Sequence, residues 1–374
     1  SHLNMRMKVG SVFILEKKVL NLPCLQNPIN SKYMENELAV ISAQQKTHYD
    51  YMLSDSVLPT VYKESRENLP DDIIDSSLAD VHMHIDNMRG KSWKVPVGEK
   101  IVSYLSDKNI VEAGVIFENE DTVINLINSL DSKEVSCSLV PFYFIHDPRN
   151  INRRKFDSLY SKGLVKGIKL HPVYDNYQIS YENLKEVISL SKEYGSLPLL
   201  IHFDDRVESM YLTSPEKIDS LVEEMLDRDS IVPIIIGHSG AYAHPRIVSF
   251  GDGKNVQAES YWKKFERESD PLYSRLYLIR HSLQLALQYP FIYLDSSSCV
   301  NKNKARIISD AVNRYPDLAK KILLGTDFPV KAQHQGNSFI VGATIQGQLK
   351  ALWNQGLERD LLLQIALNRI VNTY

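Results

Sequence analysis

The sequence predicts an α/β fold, a (β/α)8 TIM barrel with an N-terminal extension, and three observations carry that prediction. From residue 78 onward, eight short apolar runs rich in β-branched residues alternate with segments of helical period. Five of those runs turn polar at their carboxyl ends, where barrels of this kind keep their active sites. No glycine-rich phosphate loop follows an early run, which argues against the runner-up, a doubly wound open sheet.

Residues 5–75 form the extension, since Ser1–Asn4 precede a start at Met5 and are set aside. The stretch from Asn27 to Asp72 is polar, with weak periodicity, a short helix around Leu38, Val40 and Ile41, and a turn at Pro70-Asp71-Asp72. Its role is open between covering one end of the barrel, a homodimer contact and a lid. The barrel spans residues 76–374. Its expected strands are Leu78–Ile85, Ile110–Phe117, Cys137–Ile145, Val165–His171, Leu197–Phe203, Val232–His238, Phe291–Asp295 and Ile322–Asp327. One helix runs from Tyr181 to Tyr194 with Gly195 as its stop. The next starts with Ser214 as cap and Pro215 in the first turn, and Ile218, Leu221, Val222 and Met225 line one face. A last helix covers Arg359 to Val371.

Composition narrows the function classes. Of 374 residues, 43% are hydrophobic and 24% charged, the balance of a globular protein with a sizeable core. Lys and Arg total 43 against 46 Asp and Glu, so no basic excess points to nucleic acid. No apolar run approaches the roughly 20 residues that span a bilayer, so no membrane partner is expected. The run Val12–Leu15 is too short for a signal-peptide core and ends at Glu16-Lys17-Lys18. Three cysteines (Cys24, Cys137, Cys299), far apart and without CxxC, fit reduced thiols in a cytoplasmic protein. The expected partner is a small-molecule substrate.

The polar strand ends hold the chemistry. They read Asp80-Val81-His82-Met83-His84, Gly167-Ile168-Lys169-Leu170-His171-Pro172, Leu200-Ile201-His202-Phe203-Asp204, Ile236-Gly237-His238-Ser239-Gly240 and Gly325-Thr326-Asp327-Phe328-Pro329. A single strand-end histidine is more often a hydrogen-bonded structural residue than a ligand. The conjunction reverses that reading. His82 and His84 alternate with Met83 and so share a strand face, on which His202, His238 and Asp327 converge from other strands. Imidazole and carboxylate donors suit zinc, and also iron, manganese or cobalt. Lys169 is ambiguous: it pairs with a buried carboxylate, contacts substrate as a cation, or serves as a Schiff-base lysine, which leaves the histidines unexplained. His171 shares its face. Arg149, beyond His146, is a candidate carboxylate clamp. Tyr174, Tyr177, Tyr242, His244 and Arg246 lie on loops facing the pocket, and Ala241 to Asp270 is long enough for a specificity loop or lid.

These motifs, in this order from about residue 76 to the C-terminus, resemble the amidohydrolase superfamily, and within it the amidohydrolase-2 branch of aminocarboxymuconate-semialdehyde decarboxylase-like proteins. The segments are DVHMH at 80–84, GIKLHP at 167–172, LLIHF at 199–203, IIIGHSG at 234–240 and LLGTDFP at 323–329, with Asn368 before a short apolar tail. The extension has no counterpart. The resemblance implies that His82, His84, His202 and Asp327 hold a divalent metal, zinc first, with one or two ions. It makes Asp327 also the general base. His238 is then a ligand of a second metal or the catalytic histidine. Lys169 is either a carbamylated bridge, as in binuclear members, or a substrate contact beside His171. The implied function is hydrolysis by metal-activated water at an amide, lactone or ester carbonyl. The alternatives are a metal-dependent non-oxidative decarboxylase of a small carboxylic acid and, from another class, a catalytically inactive metal-binding regulatory barrel.

Overall fold

The computed structural model describes residues 68–86, 99–203, 212–240, 247–249, 255–257, 275–297, 299, 302–327 and 345–370. All eight expected runs are strands of one parallel sheet, neighbours in space in the order in which they occur along the chain. They are β1 (Leu78–His84), β2 (Ile110–Phe117), β3 (Ser138–Phe144), β4 (Gly167–Leu170), β5 (Leu199–Ile201), β6 (Ile234–Ile236), β7 (Ile292–Asp295) and β8 (Ile322–Leu323). Several are shorter than expected at the carboxyl end. There His171, His202, His238 and Asp327 lie just past the strand ends at the barrel mouth, with His202 N–H still donating to Leu170 O at 3.0 Å.

Side-chain alternation builds two apolar layers. Leu199, Ile201, Ile234 and Ile236 join the large core shared with helix residues such as Val187, Ile188, Leu221 and Val222. Their in-between neighbours Leu200 and Ile235 pack with Val81, Ile116, Val140, Phe142, Phe144, Leu323 and Ile370 in the barrel lumen. Lys169 pairs in register with Leu200, which places it on the lumen face as well.

β1 departs from plain alternation. It advances three residues from Asp80 to Met83 while β2 advances two from Ala113 to Val115, a bulge centred on Val81 and His82. Gly114 makes room for it, since a Cβ there would lie 2.4 Å from the Val81 carbonyl oxygen. The bulge lets Asp80 reach the helix layer, where Tyr104 Oη donates to it at 3.1 Å. His82 turns to the mouth. Thr326 donates to Asp80 through its N–H (3.0 Å) and hydroxyl (2.6 Å), and β1 closes onto the segment after β8 by Val81 N–H to Leu324 O and Asp327 N–H to His82 O, both 2.8 Å. The barrel is thereby shut beside His82 and Asp327.

The opposite end is sealed by the last described residues. The final helix stops at Leu367, short of the expected Val371, because Asn368 turns extended and its amide donates to the carbonyls of Ala319 (2.6 Å) and Ile322 (2.7 Å). Ile370 donates its N–H to Glu112 and places its side chain in the lumen. Other helix expectations hold with one difference. Ser180 caps the helix Tyr181–Glu193, and Gly195 beyond it takes φ +86°. Ser214 occupies the cap position of Pro215–Asp227 but makes no side-chain capping bond. At the amino end, Leu69 and Ile73 join the core and Asp72 pairs with Arg359 at 2.9 Å, so residues 68–75 pack with the barrel. The earlier extension lies outside the described residues, as do Tyr242, His244 and Arg246. From the expected lid segment, Ile247–Ser249 and Asn255–Gln257 pair as an antiparallel ribbon. Among the described residues, no helix is long and apolar enough to cross a membrane.

Candidate metal centre

The strand ends bring nitrogen and oxygen donors together at one buried point. His82 Nε2 lies 3.3 Å from His84 Nε2, 3.5 Å from Asp327 Oδ1 and 3.1 Å from Lys169 Nζ. His84 Nε2 is 3.2 Å from the same Asp327 oxygen. A tetrahedral ion with bonds of about 2.1 Å sets its ligand atoms about 3.4 Å apart, so this spacing fits a divalent cation. His84 is also in the form that binds one. Burial pushes His84 down to about 4, against the pull of Asp327, so its imidazole is neutral at neutral pH. Burial likewise pushes the Lys169 amine down to about 8, with Asp327 and Asp295 drawing it back up.

A second donor pair stands beside the first. His238 Nε2 is 3.0 Å from His202 Nδ1. Burial, then the charges of His202, His82, Lys304 and Lys169, holds His238 well below the usual imidazole range. His202 is the end of a ring stack: His171 lies on it at 3.8 Å and 15°, and Tyr174 lies on His171 at 3.6 Å and 2°. Tyr174 also donates its N–H to His171 Nδ1 at 3.2 Å, which fixes the ring of His171.

Backbone conformation aims these groups. His238 (φ 55°), Ser239 (φ 48°) and Asp327 (φ 56°) adopt the left-handed region, which side-chain-bearing residues avoid. Gly237 precedes the first two, where a Cβ would sit 2.6 Å from the Ile201 carbonyl oxygen. Lys304, buried on the helix Lys302–Arg314, holds the turn by donating to the carbonyls of His238 and Ser297.

Asp295 was not singled out by the sequence reading, yet it lies at the centre of the network. Its Oδ2 is 2.7 Å from His82 Nδ1, and Ser297 Oγ bridges it (2.6 Å) to His238 Nδ1 (2.6 Å). His82, His238 and Asp295 also form a His/Asp grouping close enough to consider as a metal site, alongside His82, His84 and Asp327. The contacts through Asp295 are hydrogen-bond lengths, so we assign the cation to the Nε2 side. Burial alone would raise Asp295, but His82 and the two bonds from Ser297 hold it below the usual carboxylate range and keep it an acceptor.

Other expected residues stand apart. Arg149 is exposed and its Nε donates to Asp147 at 3.1 Å. Tyr177 is buried, whereas Tyr174 keeps 43% of its surface exposed. His146 sits between Asp175 and Glu118, 3.0 Å from each.

The sequence matches no protein-family model and no curated protein sequence. The fold has solved counterparts. A probable 2-pyrone-4,6-dicarboxylic acid hydrolase from Acinetobacter baumannii, with citric acid bound, is 12% identical, covers 78% of this chain and 97% of its own, and superposes with a TM-score of 0.50. An amidohydrolase from Burkholderia multivorans with bound HEPES is 10% identical over 78% of this chain and 96% of its own, with a TM-score of 0.47. A dihydroorotase is 11% identical over 78% and 67%, with a TM-score of 0.42. By the first of these likenesses, the chain has the (β/α)8 barrel fold of the Acinetobacter hydrolase.

Proposed function

We propose that this chain is a metal-dependent hydrolase acting on the amide, lactone or ester carbonyl of a small molecule. The observation that carries the reading is the meeting of His82 Nε2, His84 Nε2 and Asp327 Oδ1 at cation-ligand spacing, buried at the carboxyl ends of barrel strands. The pairing of His202 with His238 supports a second position, with Lys169 Nζ 3.1 Å from His82 Nε2 of the first group. A divalent ion there, zinc by the donor types, would supply Lewis acidity, acidifying a water and polarising the carbonyl. The residues do the rest. Asp327 accepts the proton of the attacking water at its carboxylate. His238 and His202 complete the donor set, and the stack on His171 and Tyr174 keeps the His202 ring in place. Lys169, with its amine pushed down to about 8, offers more of the neutral form that adds CO2 than an exposed lysine does, which supports a carbamylated bridge.

The test joins metal analysis to turnover. Protein purified without chelators is expected to carry two metals per chain, falling to one in Lys169→Ala. It should hydrolyse members of a panel of lactones, esters and amides. Asp327→Asn should lower kcat by about 10²–10⁴ while retaining most of the metal. Undiminished activity would remove Asp327 from the base role. Release of CO2 from carboxylic acids would instead select the decarboxylase, and a fully loaded protein inert to every panel member would select the regulatory barrel.

A further inference from the structure

Asp295 makes more contacts than a strand-end carboxylate needs, and all of them lead to the candidate centre. Its Oδ2 meets His82 Nδ1 at 2.7 Å, the His238 N–H at 3.1 Å and Ser297 Oγ at 2.6 Å; its Oδ1 receives the Ser297 N–H at 2.8 Å. Its main-chain oxygen receives the hydroxyl of Ser239 at 2.8 Å, in the left-handed turn that carries His238. Space for the carboxylate is left by Gly325, where a Cβ would lie 2.2 Å from Asp295 Oδ1.

We propose that Asp295 is a positioning residue that sets the proton arrangement of two imidazoles at once and so ties both halves of the centre together. This rests on the metal-site reading above. An ionised carboxylate only accepts, so His82 must carry its proton on Nδ1, which leaves a lone pair on Nε2 facing His84 and Asp327. Ser297 has one hydroxyl proton and gives it to Asp295. His238 must then donate from Nδ1 to Ser297 Oγ, 2.6 Å away, which leaves a lone pair on His238 Nε2. That lone pair faces His202 Nδ1 at 3.0 Å. One carboxylate therefore presents two ligand nitrogens, directly on the β1 side and through a hydroxyl on the β6 side.

Asp295→Asn and Ser297→Ala separate the two arms. Cobalt(II) is the probe, with affinity read by chelator competition and geometry by visible absorption. The expected result is a 10- to 100-fold loss of affinity with an altered spectrum in Asp295→Asn. Ser297→Ala should show a smaller loss confined to the second bound ion. Wild-type affinity and spectrum in Asp295→Asn overturn the proposal and leave the metal-site reading standing, whereas a wild-type protein that takes up no cobalt overturns both. Should Asp295→Asn fail to fold, Ser297→Ala decides: unchanged binding of both ions overturns the relay.

Discussion

His84 ties the candidate site to stability. Its imidazole is pushed down to about 4 in the fold, against about 6.5 in an unfolded chain. Between those values the unfolded chain binds a proton that the folded one refuses. The stabilisation is therefore complete above pH 6.5 and is lost as pH falls towards 4, by about 3 kcal/mol from this residue. His238, shifted the same way, adds to the loss. The urea midpoint of metal-stripped protein should fall between pH 7 and 4.5, and a flat profile would mean that these rings are not buried neutral. At this scale the sequence was informative where side chains announce their chemistry. Five histidines and a lysine beside apolar runs marked the mouth, and the structure gathers His82, His84, His202, His238 and Lys169 there, with His171 stacked on His202. Asp295 was not legible, since an aspartate before three serines reads equally as a turn. The overlooked signal was its phase: it ends its run as the histidines end theirs.

At the scale of elements, the β-branched runs identified every barrel strand, because a parallel sheet buried on both faces needs continuous apolar sequence. Their ends were harder to read, because a residue just past the strand end at the mouth looks in sequence like one more strand position. The β1 bulge was invisible too, since it depends on the registration of β1 against β2. It makes Gly114 a sharp test. Gly114→Ala would press a methyl into the Val81 carbonyl at 2.4 Å and displace His82 with it. We expect a loss of about 1–3 kcal/mol in denaturant titration together with weaker metal binding. An alanine variant of unchanged stability would show that β1 carries no such bulge.

For the whole molecule, the lumen is closed at one end by polar donors and at the other by Ile370. Ile370→Ala removes that seal, and by the usual cost of truncating a buried isoleucine should reduce stability by about 2–4 kcal/mol at an unchanged m-value. A shift below 0.5 kcal/mol would place Ile370 outside the core. This contact joins residues at opposite ends of the barrel sequence, so no local pattern could have announced it. The hydrogen bond from Asp327 N–H to His82 O has the same property. It also bears on how the protein is made. A chain synthesised amino end first exposes its two leading imidazoles long before the carboxylate that completes their donor set has been translated. On the metal-site reading proposed above, the growing chain carries only part of its donor set, and binding of the ion follows the docking of the last strand against the first.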